Sequence, residues 1–248
     1  DMAVFYRTNA QSRVLEDALM GAGISYHMVG GMRFYERMEV KDILAYLKVL
    51  DNPLDEVSLK RIINTPPRGI GGATFDRVTD LACLRADAAA EAGADLLFLG
   101  DDVGMQRTLL MSRELYRTWL LPRLTRVIAA ARAKKPDILV MYHSCGFVEP
   151  LVGDFLEAGI DILDPVQPEC MDVAALHAAY GDRLSFHGTL GTQTTMPFGT
   201  PDDVRRTVRR SLDLAGAAGG MFCAPAHMLE PAVPWVNVLA YVEACRDW

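Results

Sequence analysis

His143 and Cys145 stand two residues apart in the run VMYHSCG, residues 140–146. The apolar stretch before them reads as a strand, and side chains two apart on a strand point to the same side. An imidazole and a thiolate so placed are good zinc ligands. Catalytic zinc commonly takes three protein ligands and keeps a fourth position open. The same pair also suits a small buried cysteine beside a hydrogen-bonded histidine, and spacing does not choose between the two. Asp101 and Asp102 close a second apolar run, LLFLGDD; carboxylates there serve either acid–base chemistry or the capping of a loop. Asp164, Gln167 and Gln193 follow further apolar runs, where polar side chains either line a pocket or satisfy backbone groups.

These residues need a scaffold, and the second two-thirds of the chain supplies a regular one. Apolar strands are predicted near residues 96–99, 138–142, 160–163, 184–187 and 221–224. Helices are predicted near 113–134, 148–157, 173–180, 202–215 and 235–245, the first of them kinked or broken at Pro122. Strand and helix in alternation imply parallel βα units with functional loops at the strand C-terminal ends. Five units are too few to close an eight-stranded barrel. The fold class is therefore α/β, a partial (β/α) barrel of TIM type.

The region before residue 80 has a different character. Residues 3–6 and 26–29 read as short strands. Asn9 can cap a helix whose apolar face holds Val14, Leu15, Ala18 and Leu19. A third amphipathic stretch carries Ile43, Leu44, Leu47 and Leu50 before Asn52-Pro53 ends it, and Pro66-Pro67 with the glycines of RGIGG break the pattern. The predicted division is 1–80 and 81–248.

The 248 residues carry a net charge of −7, which argues against a dedicated nucleic-acid or acidic-membrane binder, although a basic groove can coexist with an acidic whole. Asp1 opens into an apolar run without a basic leader, so the start reads as the interior of a larger protein. No apolar run is long enough to cross a bilayer. The five cysteines are odd in number and unframed by a secreted pattern, which points to a reducing cytoplasm.

Three blocks of the first 75 or so residues, YRTNAQSRVLEDAL, GGMRFYERMEVKDILAYLKVLDNP and RIINTPPRGIG, closely resemble UvrD/PcrA-type superfamily 1 DNA helicases. The resemblance places this segment in the second motor domain, entering the inserted subdomain. It implies single-strand DNA contacts for Arg7, Asn9, Arg33, Tyr35 and Arg37; Arg and aromatic side chains supply phosphate contacts and base stacking. The sequence holds no G-x-x-x-x-G-K-S/T phosphate loop, so helicase or ATPase activity is not expected.

From about Ala92 onward the blocks GADLLFLGDDVG, VMYHSCG, AGIDILDPVQPE, FHGTLGTQ and GGMFCAPAHML resemble the uroporphyrinogen decarboxylase superfamily, which includes corrinoid-linked methyltransferases. They correspond to roughly the second half of a full family domain. The resemblance implies a zinc centre at His143 and Cys145, with His227 as third ligand and Cys223 as a rival for that place. His227 also matches the family's active-site histidine, and the family's key N-terminal Asp has no counterpart here. The implied substrates are a tetrapyrrole, or a thiol accepting a methyl group from a corrinoid on a partner protein.

Three readings follow. The chain is a decarboxylase- or methyltransferase-type enzyme portion, or a single-stranded DNA-binding remnant of a helicase, or a fusion of two gene fragments without activity. Self-association through open barrel edges is also expected, and a membrane partner is not.

Overall fold

The computed structural model describes residues 4, 9–27, 38–52, 55–62, 64–66, 71–215 and 219–247, with the backbone alone at 9–13, 56, 59, 60 and 215. The chain forms two compact units, Asp1–Gly71 and Gly72–Trp248.

In the first unit the described elements are helices α1 (Asn9–Gly21), α2 (Met38–Asp51) and α3 (Glu56–Ile62). α2 and α3 pack together, with Ala45 and Ile62 buried and an Arg61–Asp42 ion pair at 2.7 Å. The face expected to be buried on α2 is not: Ile43, Leu47 and Leu50 are all more than half exposed. A unit this small has too few elements to cover every apolar stripe, so the burial goes to the side facing α3. Asn9 opens α1 as expected, but its side chain is outside the described set, as are Arg7, Arg33, Tyr35 and Arg37. Of the two expected strands, Tyr26 and His27 are described and are not in strand conformation, and Val4 is the one described residue of the other.

The second unit begins with a helix that the sequence reading did not anticipate, α4 (Gly72–Glu91). Its run of alanines favours helix, and Ala86 and Ala90 bury against Val127 and Ala131 of α6 (Leu121–Lys134). Small side chains let the two helices approach closely, yet they give no large-apolar period to read from sequence. Arg123–Asp76 (2.9 Å) and Arg126–Asp80 pairs run along the outer seam.

The strands are β1 (Leu96–Gly100), β2 (Leu139–His143), β3 (Ile162–Asp164), β4 (Ser185–His187) and β5 (Met221–Phe222), all parallel and in the order β1-β2-β3-β4-β5. Between them lie α5 (Arg113–Trp119), α6, α7 (Val152–Ala158), α8 (Val173–Tyr180), α9 (Thr195–Phe198) and α10 (Pro201–Ala215), followed by α11 (Trp235–Arg246). The expected break at Pro122 is present: α5 ends at Trp119 and α6 starts afresh with Pro122 in its first turn, where a missing N–H costs nothing. The α/β class and five-unit parallel sheet are as the sequence implies. None of the described helices is long and apolar enough to cross a membrane.

Alternation divides the sheet into two faces. Val140, Tyr142, Leu163 and Phe186 point to the helices and form the core with Tyr116 and Phe155, all essentially inaccessible. The opposite face exposes Phe98 and Leu139 and carries the polar residues of interest. Parallel register aligns Gly100 with His143 and His143 with Asp164. Leu163 aligns with Phe186 and His187 with Phe222. Gly100, His143, Asp164, His187 and Phe222 therefore form one row across the C-terminal end of the sheet.

Two contacts fix this row from behind. Asp154 on α7 is 1% exposed and receives Arg113 Nε at 2.8 Å and Arg117, tying α5 to α7. Burial pushes the Asp154 carboxyl upward, but the hydrogen bonds and charges of Arg113 and Arg117 outweigh it and hold the group below its usual 3.8. Gly100 sits where a Cβ would meet His143 Cβ at 2.9 Å and His143 O at 3.1 Å, so the approach of β1 to β2 requires a residue without a side chain.

Replacing Asp154 with Ala is expected to lower stability by about 1–3 kcal/mol, measured by urea unfolding at neutral pH. The native Asp154 carboxyl titrates below the unfolded one. Its contribution is thus complete above the ordinary carboxylate range and disappears as pH falls through the native value. Acid should erase the difference between wild type and variant. Gly100→Ala is expected to cost about 1–3 kcal/mol by crowding His143, read from the same unfolding curves.

Candidate metal centre

The loop after β2 carries Cys145, and its backbone is tied down residue by residue. Ser144 N–H donates to Asp164 O (2.8 Å), Cys145 N–H to Asp102 Oδ1 (3.0 Å), Gly146 N–H to Gln167 Oε1 (3.2 Å) and Phe147 N–H to Met105 O (2.7 Å). Val103 N–H in turn donates to the buried Ser144 hydroxyl at 3.1 Å. The loops after β1, β2 and β3 are therefore one hydrogen-bonded unit, as backbone groups removed from water require. Gly146 makes the turn with φ +86°, and a Cβ there would strike Met105 O at 2.6 Å.

On this frame the side chains converge. His143 Nε2 lies 3.4 Å from Cys145 Sγ and 3.8 Å from Asp102 Oδ1, and the ligand atoms of Asp102, His143 and Cys145 all lie within 4.8 Å of one another. Tetrahedral zinc with bonds of about 2.0 Å to nitrogen and 2.3 Å to sulfur sets those two ligand atoms roughly 3.5 Å apart. The His143–Cys145 separation fits that requirement, and the imidazole, thiol and carboxylate set suits zinc with one position left open. Burial first, then the nearby carboxylates of Asp102 and Asp164, push the Cys145 thiol above its ordinary value. A cation among the three would act in the opposite direction.

Behind the cluster, Asp164 Oδ2 meets His143 Nδ1 at 2.7 Å and Asp164 Oδ1 meets His187 Nδ1 at 2.6 Å. Burial pushes the Asp164 carboxyl up, but the bonds from His187 and His143 prevail and hold it below its usual range. Phe98 and Phe222 flank the row, their ring centroids 6.0 Å from His143 and 6.2 Å from His187.

The other candidate residues occupy distinct places. Asp101 accepts a long hydrogen bond from Tyr142 Oη (3.4 Å), and burial raises its carboxyl above the ordinary range. Gln167 is buried and holds Gly146, an architectural position more than a lining one. Gln193 exchanges side-chain hydrogen bonds with Gln106 (3.1 and 3.2 Å), joining the loops after β1 and β4. His227 is exposed, and among the described residues neither it nor Cys223 lies in the cluster of Asp102, His143 and Cys145. Cys223 instead packs beside Cys245, and burial with that neighbour raises its thiol.

Sequence reasoning did not single out two residues that matter here. His187 is one; its position closing β4, as His143 closes β2, is the available signal. Glu169 accepts from Gln193 N (3.0 Å), Thr194 N (3.1 Å) and Thr194 Oγ1 (2.9 Å), anchoring the loop after β4. Nothing local in PVQPEC marks it for that task.

Comparison with known proteins separates the two units in the same way as their composition. The family model of the UvrD-like helicase C-terminal domain matches residues 1–88. ATP-dependent DNA helicase UvrD1 of Mycobacterium tuberculosis (strain ATCC 25618 / H37Rv) is 69% identical over 71 residues, which is 29% of this chain and 9% of the helicase. ATP-dependent DNA helicase PcrA of Bacillus subtilis (strain 168) is 45% identical over 100 residues, 40% of this chain and 14% of that protein. The chain thus spans only about a tenth of these curated relatives.

Among solved structures, a methyltransferase from Methanosarcina mazei superimposes with a TM-score of 0.58 at 22% identity, covering 85% of this chain and 63% of that one. That likeness shows a shared fold. The family model of uroporphyrinogen decarboxylase (URO-D) matches residues 61–248 and overlaps the helicase model over 61–88. Since the URO-D match takes in well over half of the chain and all five strands, the chain belongs to the uroporphyrinogen decarboxylase (URO-D) family.

Proposed function

We propose that the URO-D unit is a zinc-dependent methyl-transfer enzyme of its family, with Asp102, His143 and Cys145 as the protein ligands and a thiol as methyl acceptor. The observation that carries this reading is the convergence of an imidazole, a thiol and a carboxylate at the C-terminal end of a parallel sheet. Zinc bound there would supply Lewis-acid stabilisation of a substrate thiolate at neutral pH. The chain's own residues account for the rest of the site. His143 is oriented through Nδ1, Cys145 is held by the Asp102 bond to its backbone, and Phe98 and Phe222 make an apolar border around the row. A corrinoid on a partner protein is the methyl donor this reading requires.

Porphyrinogen decarboxylation has one feature in its favour, the carboxyl of Asp101 just after β1, which loss of hydration raises above its ordinary range. Among the described residues, the row across the end of the sheet holds no Arg or Lys to pair with the acidic substituents of such a substrate. For residues 1–71 we propose no nucleotide-driven role. A salt-sensitive affinity for a single-stranded oligonucleotide would revive the DNA-binding reading of Arg7, Asn9, Arg33, Tyr35 and Arg37.

Protein purified in zinc-supplemented buffer is expected to retain about one zinc per chain by elemental analysis, and Cys145→Ala to abolish it. Asp102→Ala should weaken binding, while His227→Ala and Cys223→Ala leave it unchanged. Zinc content unaffected by Cys145→Ala would sink the centre. A loss confined to His227→Ala or Cys223→Ala would move the third ligand back to the last strand.

A further inference from the structure

The row across the sheet contains a second imidazole that the proposed ligand set does not use. His143 ends β2, Asp164 ends β3 and His187 ends β4, and parallel register sets the three side by side. The middle residue has two carboxylate oxygens and each takes one ring: Oδ2 faces His143 Nδ1 at 2.7 Å and Oδ1 faces His187 Nδ1 at 2.6 Å. An ionised carboxylate accepts only, so both Nδ1 atoms must carry hydrogen. A neutral imidazole protonated at Nδ1 has its lone pair at Nε2, and for His143 that atom is the one 3.4 Å from Cys145 Sγ.

We infer that Asp164 is the positioning residue of this site, holding the Nδ1–H of both His143 and His187 so that each ring has a fixed orientation with its Nε2 turned away from the carboxylate. For His143 the consequence rests on the metal reading above: a ligand whose lone pair is already aimed binds without reorganisation. For His187 the consequence is a second imidazole of fixed orientation in the row, separated from His143 by one carboxylate. The arrangement also explains why Asp164 is nearly inaccessible in a row whose other members are partly open. Each of its oxygens already accepts from one ring, which sets its carboxylate between the two imidazoles.

Asparagine at this position offers one oxygen and one NH₂. It can accept from only one ring, and it forces the other to accept at Nδ1 and protonate at Nε2. Asp164→Asn thus tests the tautomers without changing the volume of a buried side chain.

The test uses the full chain with histidines labelled by ¹⁵N. In metal-free wild type, long-range ¹H–¹⁵N spectra at neutral pH should show a protonated Nδ1 for both His143 and His187, assigned by single replacement of each. Asp164→Asn should convert one ring to the Nε2–H form and weaken cobalt(II) binding, followed by its thiolate charge-transfer band, by about 10–100-fold if that ring is His143. If the converted ring is His187, cobalt affinity should stay near wild type. His187→Ala leaves the bond to His143 in place and should shift cobalt affinity far less than Asp164→Ala. An unprotonated Nδ1 on either ring of the metal-free wild type overturns the inference, as does Asp164→Asn with both rings unchanged. Failure of the wild type to take up cobalt sinks the metal reading alone, because the tautomers are read without metal.

Discussion

Parallel register is the constraint from which the site descends. Each strand of the sheet is short, and β3 and β4 have three residues each. A slip of one residue between β2 and β3 would exchange Asp164 for Leu163 beside His143 and turn a carboxylate toward the helical core. The core forbids that slip, because Tyr142, Leu163 and Phe186 fill the helix-facing side without exposure. Apolar packing on one face thereby sets the polar row on the other. The chemistry-bearing residues are placed by side chains that pack on the other face of the sheet.

Loop structure then adds what the strands cannot. Cys145 lies beyond the last paired residue of β2, so no strand hydrogen bond defines it. Asp102, Gln167 and Met105 define it instead by accepting the three consecutive N–H groups of Cys145, Gly146 and Phe147. Asp102 has a double position here, since its Oδ1 both caps the Cys145 backbone and stands 3.8 Å from His143 Nε2. One carboxylate thus both caps the loop and stands among the side chains of His143 and Cys145. The loops after β3 and β4 are joined in the same manner by Glu169.

The two units differ in how well they cover themselves. The URO-D unit builds its main core between the sheet and α5 to α8, and a smaller one between α4, α6 and the start of the sheet. In the helicase-like unit, α2 leaves Ile43, Leu47 and Leu50 exposed although their spacing is that of a buried stripe. The same α2 sequence falls within the match to the helicase family, whose proteins are many times longer than this segment. A stripe inherited from a larger setting is legible in sequence but is not buried within the unit that carries it.

Sequence alone determined the alternation of strands and helices, the break at Pro122, the two family resemblances and the nearness of His143 to Cys145, because each is encoded within a few consecutive residues. It missed α4, whose buried face is alanine and so has no strong apolar period. It did not point to the gathering of Asp102 with His143 and Cys145. Partners drawn from different strands depend on register and on loop paths, and no local pattern encodes those. The pairing of one carboxylate with two imidazoles, His143 and His187, joins residues more than 20 positions apart. Only the folded sheet, with its helix-facing side already packed, decides that they meet.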